Sequence, residues 1–186
     1  MAYFEDLSVY SYRDEPDVVS PADRVDRSSP PYLRVDATMA RVNIGWLGGR
    51  GRFGRRARYA TGPVADGAVD ALLDVIEAQA VNVTRGFHAC EYCRGGDVGG
   101  HRLEHRGRTV VMGSSEIRVP AGGGVVFAAP TLIGHYVRDH GYCPPTAFIE
   151  ALLAFRHGTT DLAQGWFTSL FGANPPPDLR AESPAP

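Results

Sequence analysis

The sequence predicts an α+β fold, with a β-meander packed on two or three helices around a zinc-knuckle or zinc-finger-like metal site. Three observations carry this prediction. Apolar residues recur at helical spacing in three segments between residues 63 and 158; short alternating apolar pieces separated by glycine turns run from 101 to 129; and Cys90-x-x-Cys93 is followed by His135 and His140. The 186 residues, 44% hydrophobic and 22% charged with a net charge of −2, suit one ordinary domain with a real core. They call for neither a second domain nor a disordered chain.

The elements follow in order. AYFEDLSVYSY alternates aromatic and polar residues and reads as a short strand or an ordered N-terminal arm; RDEPDVVSPADRVDRSSPPY is loop. YLRVDATMARVNIGWL has period-2 character at Leu33, Val35 and Ala37 and again at Val42, Ile44 and Trp46, which predicts one or two strands ending at Gly48-Gly49. PVADGAVDALLDVIEAQA places Val69, Leu72, Leu73, Ile76 and Ala80 at helical spacing, with Asp66 as the expected N-cap. HRLEH, RTVVMG, SEIRVP and VVFAA read as a meander of hairpins. Pro130 opens a helix with Leu132, Ile133, Tyr136 and Val137 on one face, stopped by Gly141. After Pro144-Pro145 a last helix offers Phe148, Ile149, Leu152 and Phe155 to the core. The domain is expected to span 1–158, and 159–186 to be a weakly helical, then Pro-rich and disordered tail.

Charge is uneven along the chain. Six arginines and no acid lie between Arg41 and Arg58, interleaved with five glycines. Arg50, Arg52, Arg55 and Arg56 are therefore candidates for phosphate contacts, with Trp46, Phe53 and Tyr59 as stacking rings for nucleic acid. The competing reading is a solvated basic loop balanced by Asp66, Asp70, Asp74 and Glu77, and the chain's overall acidity favours it. No apolar run approaches the ~20 residues of a membrane span. The start MAYFEDLSVY has no basic region followed by an apolar one, so a cytoplasmic protein without membrane attachment is expected. In a reducing compartment three cysteines point to metal or thiol chemistry before disulfides.

Zn²⁺ prefers four soft or borderline donors in a tetrahedron, and Cys90, Cys93, His135 and His140 supply that set. On an ideal helix residues five apart point about 140° away from one another. Gly141 directly after His140 lets the last turn change pitch and bring the imidazole back. Between Cys93 and His135 lie 41 residues, where DNA-reading fingers have about a dozen. The metal is thus expected as a structural staple. Against it stands the plainer possibility of small half-buried thiols and surface histidines. Cys143 and His88 are spare ligands, either of them a substitute for His140. No Glu follows His88 at the second position and no Pro precedes Cys90, which excludes the nucleobase-deaminase pattern; Arg94-Gly95-Gly96 argues against a thioredoxin-like helix after Cys90-x-x-Cys93. Catalytic candidates are His88 and Glu116, with Asn82 in the same cleft and Glu116 as general base. Otherwise Glu116 is an exposed strand residue paired with Arg118 or a neighbouring arginine.

YFEDLSVYSY, VNIGWL, RGFHACEYC, GSSEIRV and APTLIGHYVRDHGYCPPTAFIEAL together resemble a family of uncharacterised bacterial proteins of actinomycetes, classed as a domain of unknown function. The likeness spans most of the chain apart from the Arg/Gly loop and the C-terminal tail. It implies that Cys90, Cys93, His135 and His140 belong to one pattern, and it implies no activity. The expected function is a small zinc-stabilised binding or adaptor module that recognises a protein partner. A zinc-dependent or acid/base enzyme using His88 and Glu116 is second; nucleic-acid binding through residues 50–58 is third.

Overall fold

Eight elements appear among the residues described by the computed structural model, which are 2–10, 24, 33, 39–49, 56–93 and 100–155. In chain order they are β1 (Ala40–Asn43), α1 (Ala68–Ala78), β2 (His101–His105), β3 (Arg108–Met112), β4 (Glu116–Gly122), β5 (Val125–Pro130), α2 (Ile133–His140) and α3 (Thr146–Ala154). The architecture is α+β, with three helices and two sheets. Val35, Ala37, Arg50, Arg52, Phe53, Arg55 and the expected tail at 159–186 lie outside the described residues.

The two hairpins form where alternation predicts them. β2 and β3 pair across Arg106-Gly107, at φ 48° and 75°, and β4 and β5 across Gly123-Gly124, at φ 58° and 79°. Two successive positive φ values give the tight turn whose twist matches paired strands. The continuous meander, however, is corrected to two hairpins in separate sheets, because β3 and β4 do not pair. Val81 and Glu116 exchange both backbone hydrogen bonds at 2.8 and 3.0 Å, so the free edge at the start of β4 is already taken. On the far edge of β5 lies β1, parallel, in register from Ala40↔Val125 to Asn43↔Ala128. Pro120 is tolerated because β4 is an edge strand with a register shift between Pro120 and Gly122.

β5 is buried along its whole length, as a continuous apolar run covered on both faces should be. On one face Phe127 meets Phe148 of α3 edge-on at 5.7 Å. On the other, Ala128 packs with Tyr10 and Trp46, and the indole Nε1 donates to the Ala128 carbonyl at 3.0 Å. The expected N-terminal arm supplies this cover. Residues 3–10 run antiparallel to β1 and its extension, through bonds such as Leu7 N to Asn43 O and Tyr10 N to Arg41 O. Each fully buried aromatic or aliphatic side chain here contributes about 1.5–3 kcal/mol of hydrophobic stabilisation.

The helices hold most of the predicted core but differ at their starts. α1 buries Leu72, Leu73, Val75 and Ile76, yet Asp66 does not cap it; the cap position is Gly67 in the left-handed conformation at φ 78°. α2 begins at Ile133, since Pro130 pairs with Glu116 as the last residue of β5 and Thr131 is held by the Ser115 carbonyl. α3 buries Phe148, Ile149 and Leu152 as expected, with Phe155 buried directly after it. Two of the acids expected to balance the Arg/Gly stretch are used elsewhere. Asp74 pairs with His105 and Arg106, and Glu77 with Arg108, tying α1 to the β2–β3 hairpin. No helix among the described residues is long and apolar enough to cross a membrane.

Candidate metal centre

Cys90 and Cys93 lie on the irregular segment between α1 and β2, and His135 and His140 on α2. What joins them is the end of α2. Its last turn closes from Gly141 N–H to the Tyr136 carbonyl, an i→i−5 bond, with Tyr142 N–H on the same carbonyl at 3.1 Å and Gly141 left-handed at φ 63°. A turn widened in this way brings residues five apart toward one face, which resolves the 140° separation of an ideal helix. His135 Nε2 and His140 Nε2 stand 3.0 Å apart.

The four donor atoms all lie within 4.8 Å of one another. Cys90 Sγ is 3.3 Å from His140 Nε2, and Cys93 Sγ is 3.3 and 3.4 Å from His135 and His140 Nε2. Metal bonds of ~2.0–2.3 Å in a tetrahedron imply ligand-to-ligand edges of ~3.3–3.8 Å; the edges of 3.0 to 3.4 Å lie at or just below the lower end of that range, and no donor pair is more than 4.8 Å apart. The group is close enough to bind a metal ion. Its protonation suits that task in part. Burial holds His135 and His140 below the ordinary histidine value, in the neutral form that ligates. Burial pushes the Cys90 thiol up to about 11, opposed by the Tyr92 and Cys93 backbone N–H groups that aim at its sulfur. An ion therefore has to displace that proton, and its own charge is the force available to do so.

Around the donors the support is specific. His135 Nδ1 lies 2.6 Å from Asp139 Oδ2, and Arg138 donates to both oxygens of Asp139 at 2.7 and 2.8 Å. A carboxylate on Nδ1 fixes the proton there and turns the Nε2 lone pair toward the other three donors. Burial alone would raise Asp139, but its bonds to Arg138 and His135 more than reverse this and hold it below the usual carboxylate value. His101 stacks on His135 at 3.8 Å between ring centroids. Tyr92 lies edge-on to Tyr59 and Tyr136, and its hydroxyl reaches the carbonyls of Leu47 and Ala57 at 3.0 and 2.9 Å. Glu91 accepts from Gly49 N–H at 2.9 Å. The Cys-x-x-Cys turn thus grips the chain on both sides of residues 50–55.

The remaining predicted residues separate. Cys143 and His88 stand outside the donor group; Cys143 Sγ faces the Pro63 carbonyl at 3.7 Å. His88 lines a pocket with Asn82 and Glu116, the cleft expected for these three. Glu116 is paired with Arg118 at 2.5 Å, but it is 3% exposed and not on the surface. Tyr10 and Asn82 also donate to its carboxylate. Burial alone would lower the Arg118 guanidinium, and the Glu116 charge more than reverses this. Arg56 donates to the Tyr92 carbonyl and lies over its ring. Asp139 was legible as the residue one turn after His135, where helix side chains meet. Arg118 was within reach of sequence reasoning as the strand neighbour of Glu116 two residues on, whereas His101 and Tyr10 gave no local signal, since only the tertiary fold brings them to these positions.

Two hairpins, a mixed sheet and a Cys₂His₂ donor group at a widened helix end define an α+β domain able to hold a metal ion. The chain belongs to the family described as Domain of unknown function (DUF7919), whose model matches residues 2–153. No curated protein and no solved structure matches it.

Proposed function

We propose that this chain is a small zinc-stabilised bacterial binding or adaptor module, cytoplasmic, that recognises a protein partner. The observation that carries the reading is the convergence of Cys90 Sγ, Cys93 Sγ, His135 Nε2 and His140 Nε2 on one point. Two thiolates and two imidazoles in a tetrahedron select zinc among common ions, and a shell filled by four protein donors leaves no position for a reactive water. Zinc here acts as a staple. It ties the 90–93 turn to α2, and through Glu91 and Tyr92 it steadies the chain at Leu47, Gly49 and Ala57. A reducing cytoplasm belongs to the reading because both cysteines have to stay reduced to ligate. Phe87 beside the turn, 40% exposed, offers a partner an apolar contact.

The enzyme alternative draws on the shared pocket of Asn82, His88 and Glu116. Three donors already engage the Glu116 carboxylate, which leaves it poorly placed as a general base. The nucleic-acid alternative rests on Arg50, Arg52, Arg55 and Arg56, and of these the one described residue, Arg56, is spent on Tyr92.

The test is metal content of the purified protein, wild type against Cys90→Ser and His135→Ala. About one zinc per chain, lost in both variants together with cooperative unfolding, is expected. Metal-free wild type that melts like both variants refutes the staple. Pull-down against the metal-loaded and the stripped chain then tests the partner, whose binding is expected to require zinc.

A further inference from the structure

The pocket shared by Asn82, His88 and Glu116 is built rather than incidental. It is small and half open, with about 20 Å³ of room for water-sized groups, and it has Asn82, His88, Ser114, Ser115 and Glu116 on its polar side and Trp46 and Pro130 on its apolar side. Its walls are fixed by backbone bonds: Val81 with Glu116, Thr84 N to Ser114 O at 2.7 Å, His88 N to Gly113 O at 2.8 Å and Thr131 N to Ser115 O at 2.8 Å. Asn82 holds a left-handed φ of 52°. Gly113 sits at φ 107°, and a Cβ there would lie 2.9 Å from both the His88 carbonyl and Leu132. Only glycine lets the His88 segment close so tightly on this wall, and unusual backbone of this kind gathers at ligand sites.

Its polar groups keep capacity to spare. The Asn82 amide nitrogen donates to Tyr10 and to the acceptor-only Glu116 carboxylate, which fixes the flip and leaves Oδ1 as the outward acceptor. Among the described residues no protein group bonds that oxygen, the Ser114 and Ser115 hydroxyls or the His88 ring, while the neighbouring Thr84 and Thr131 hydroxyls are satisfied by backbone carbonyls. Charge narrows the ligand further. Arg118 already neutralises Glu116, and no lysine or arginine lines the pocket. An anion would face a carboxylate; a cation would compete with Arg118 for it.

We propose that this pocket binds a small neutral molecule rich in hydroxyl or amide groups, its hydrogen-bonding edge on Asn82, Ser114 and Ser115 and its apolar face on Trp46 and Pro130. The site is independent of the metal's identity and of a protein partner. The test uses the ¹⁵N-labelled full chain, titrated with ethylene glycol and glycerol as polyols, acetamide and urea as amides, and acetate and guanidinium as charged counterparts. Saturable shifts are expected with at least one neutral class, confined to the amides of 82–84 and 113–116 and the Trp46 indole, and which class saturates names the source. Ser114→Ala/Ser115→Ala removes two hydroxyls that bond none of the described residues, so it is expected to fold and melt as wild type and to bind about tenfold more weakly or worse. Linear shifts with every probe, equal shifts with acetate or guanidinium, or undiminished binding by a folded double variant would each overturn the proposal.

Discussion

Asp139 is the residue at which the metal centre is most sharply testable. Its carboxylate meets His135 Nδ1 at 2.6 Å, a charge-assisted bond that keeps the proton on Nδ1 and the Nε2 lone pair free. Asp139→Asn keeps an acceptor at similar reach and loses its charge, and the expected cost in zinc affinity is about tenfold, or ~1.4 kcal/mol. Asp139→Ala removes the acceptor and lets the ring take the other tautomer, with the proton on the ligating nitrogen. Its expected cost is about 100-fold, or ~2.7 kcal/mol. Among the described residues Arg138 pairs with Asp139, and its side chain is 36% exposed, so Arg138→Ala should change affinity by no more than a few-fold, the weight of an exposed ion pair of under about 1 kcal/mol. Competition with a chromophoric chelator at fixed pH reads all three, and far-ultraviolet dichroism confirms that each is folded. The order Ala, Asn, then Arg138→Ala is the signature of a carboxylate that orients a ligand. Wild-type affinity in Asp139→Ala, or a larger loss in Arg138→Ala than in Asp139→Ala, refutes the reasoning.

Two further outcomes follow from buried charge. Glu116→Gln leaves the buried Arg118 guanidinium without its counter-charge and is expected to cost about 3–5 kcal/mol in urea unfolding; Glu116→Gln/Arg118→Met should recover most of that loss, and a double variant as unstable as the single one counts against the pairing. Burial raises the Asp6 carboxyl above its ordinary value of 3.8, against the lowering bonds from Gly45 N–H and the Tyr142 hydroxyl. The folded chain therefore keeps this proton after the unfolded chain has released it. Stability attributable to Asp6 falls as pH rises from 3.8 through the raised folded value and is level above it. Thermal melts of wild type minus Asp6→Asn across that range, with the metal contribution common to both, should show this slope and should not show its reverse.

The donor group was legible in the sequence because its spacing is local: Cys90 and Cys93 share a turn, and His135 and His140 share a helix. What the spacing did not contain was the i→i−5 closure that reconciles the two histidines, although Gly141 marked the place. Strands and hairpin turns were equally local, set by alternation and by glycine. Their assembly was not. Alternation alone suggests a continuous meander, but the lone bridge at Val81, three residues beyond α1, takes the edge of β4, and β1 reaches β5 from far along the chain. Asp66 has the side chain of a cap, but the position falls to Gly67 behind it, which turns left-handed. The Glu116–Arg118 pair is legible from its spacing, but its burial depends on Tyr10 and the arm, which no periodicity reports.

The parallel ladder between β1 and β5 also bears on the order of folding. The hairpins at Arg106-Gly107 and Gly123-Gly124 close over two residues and can form in ~1–10 μs, whereas joining Ala40 to Val125 must first overcome the entropy of a long loop. The two cysteines lie 42 to 50 residues from the histidines they meet, with both hairpins between, so their convergence is itself a long-range step. Metal capture during refolding is thus a clock for the slow, long-range half of the chain, and its rate should track closure of the sheet and not formation of the turns.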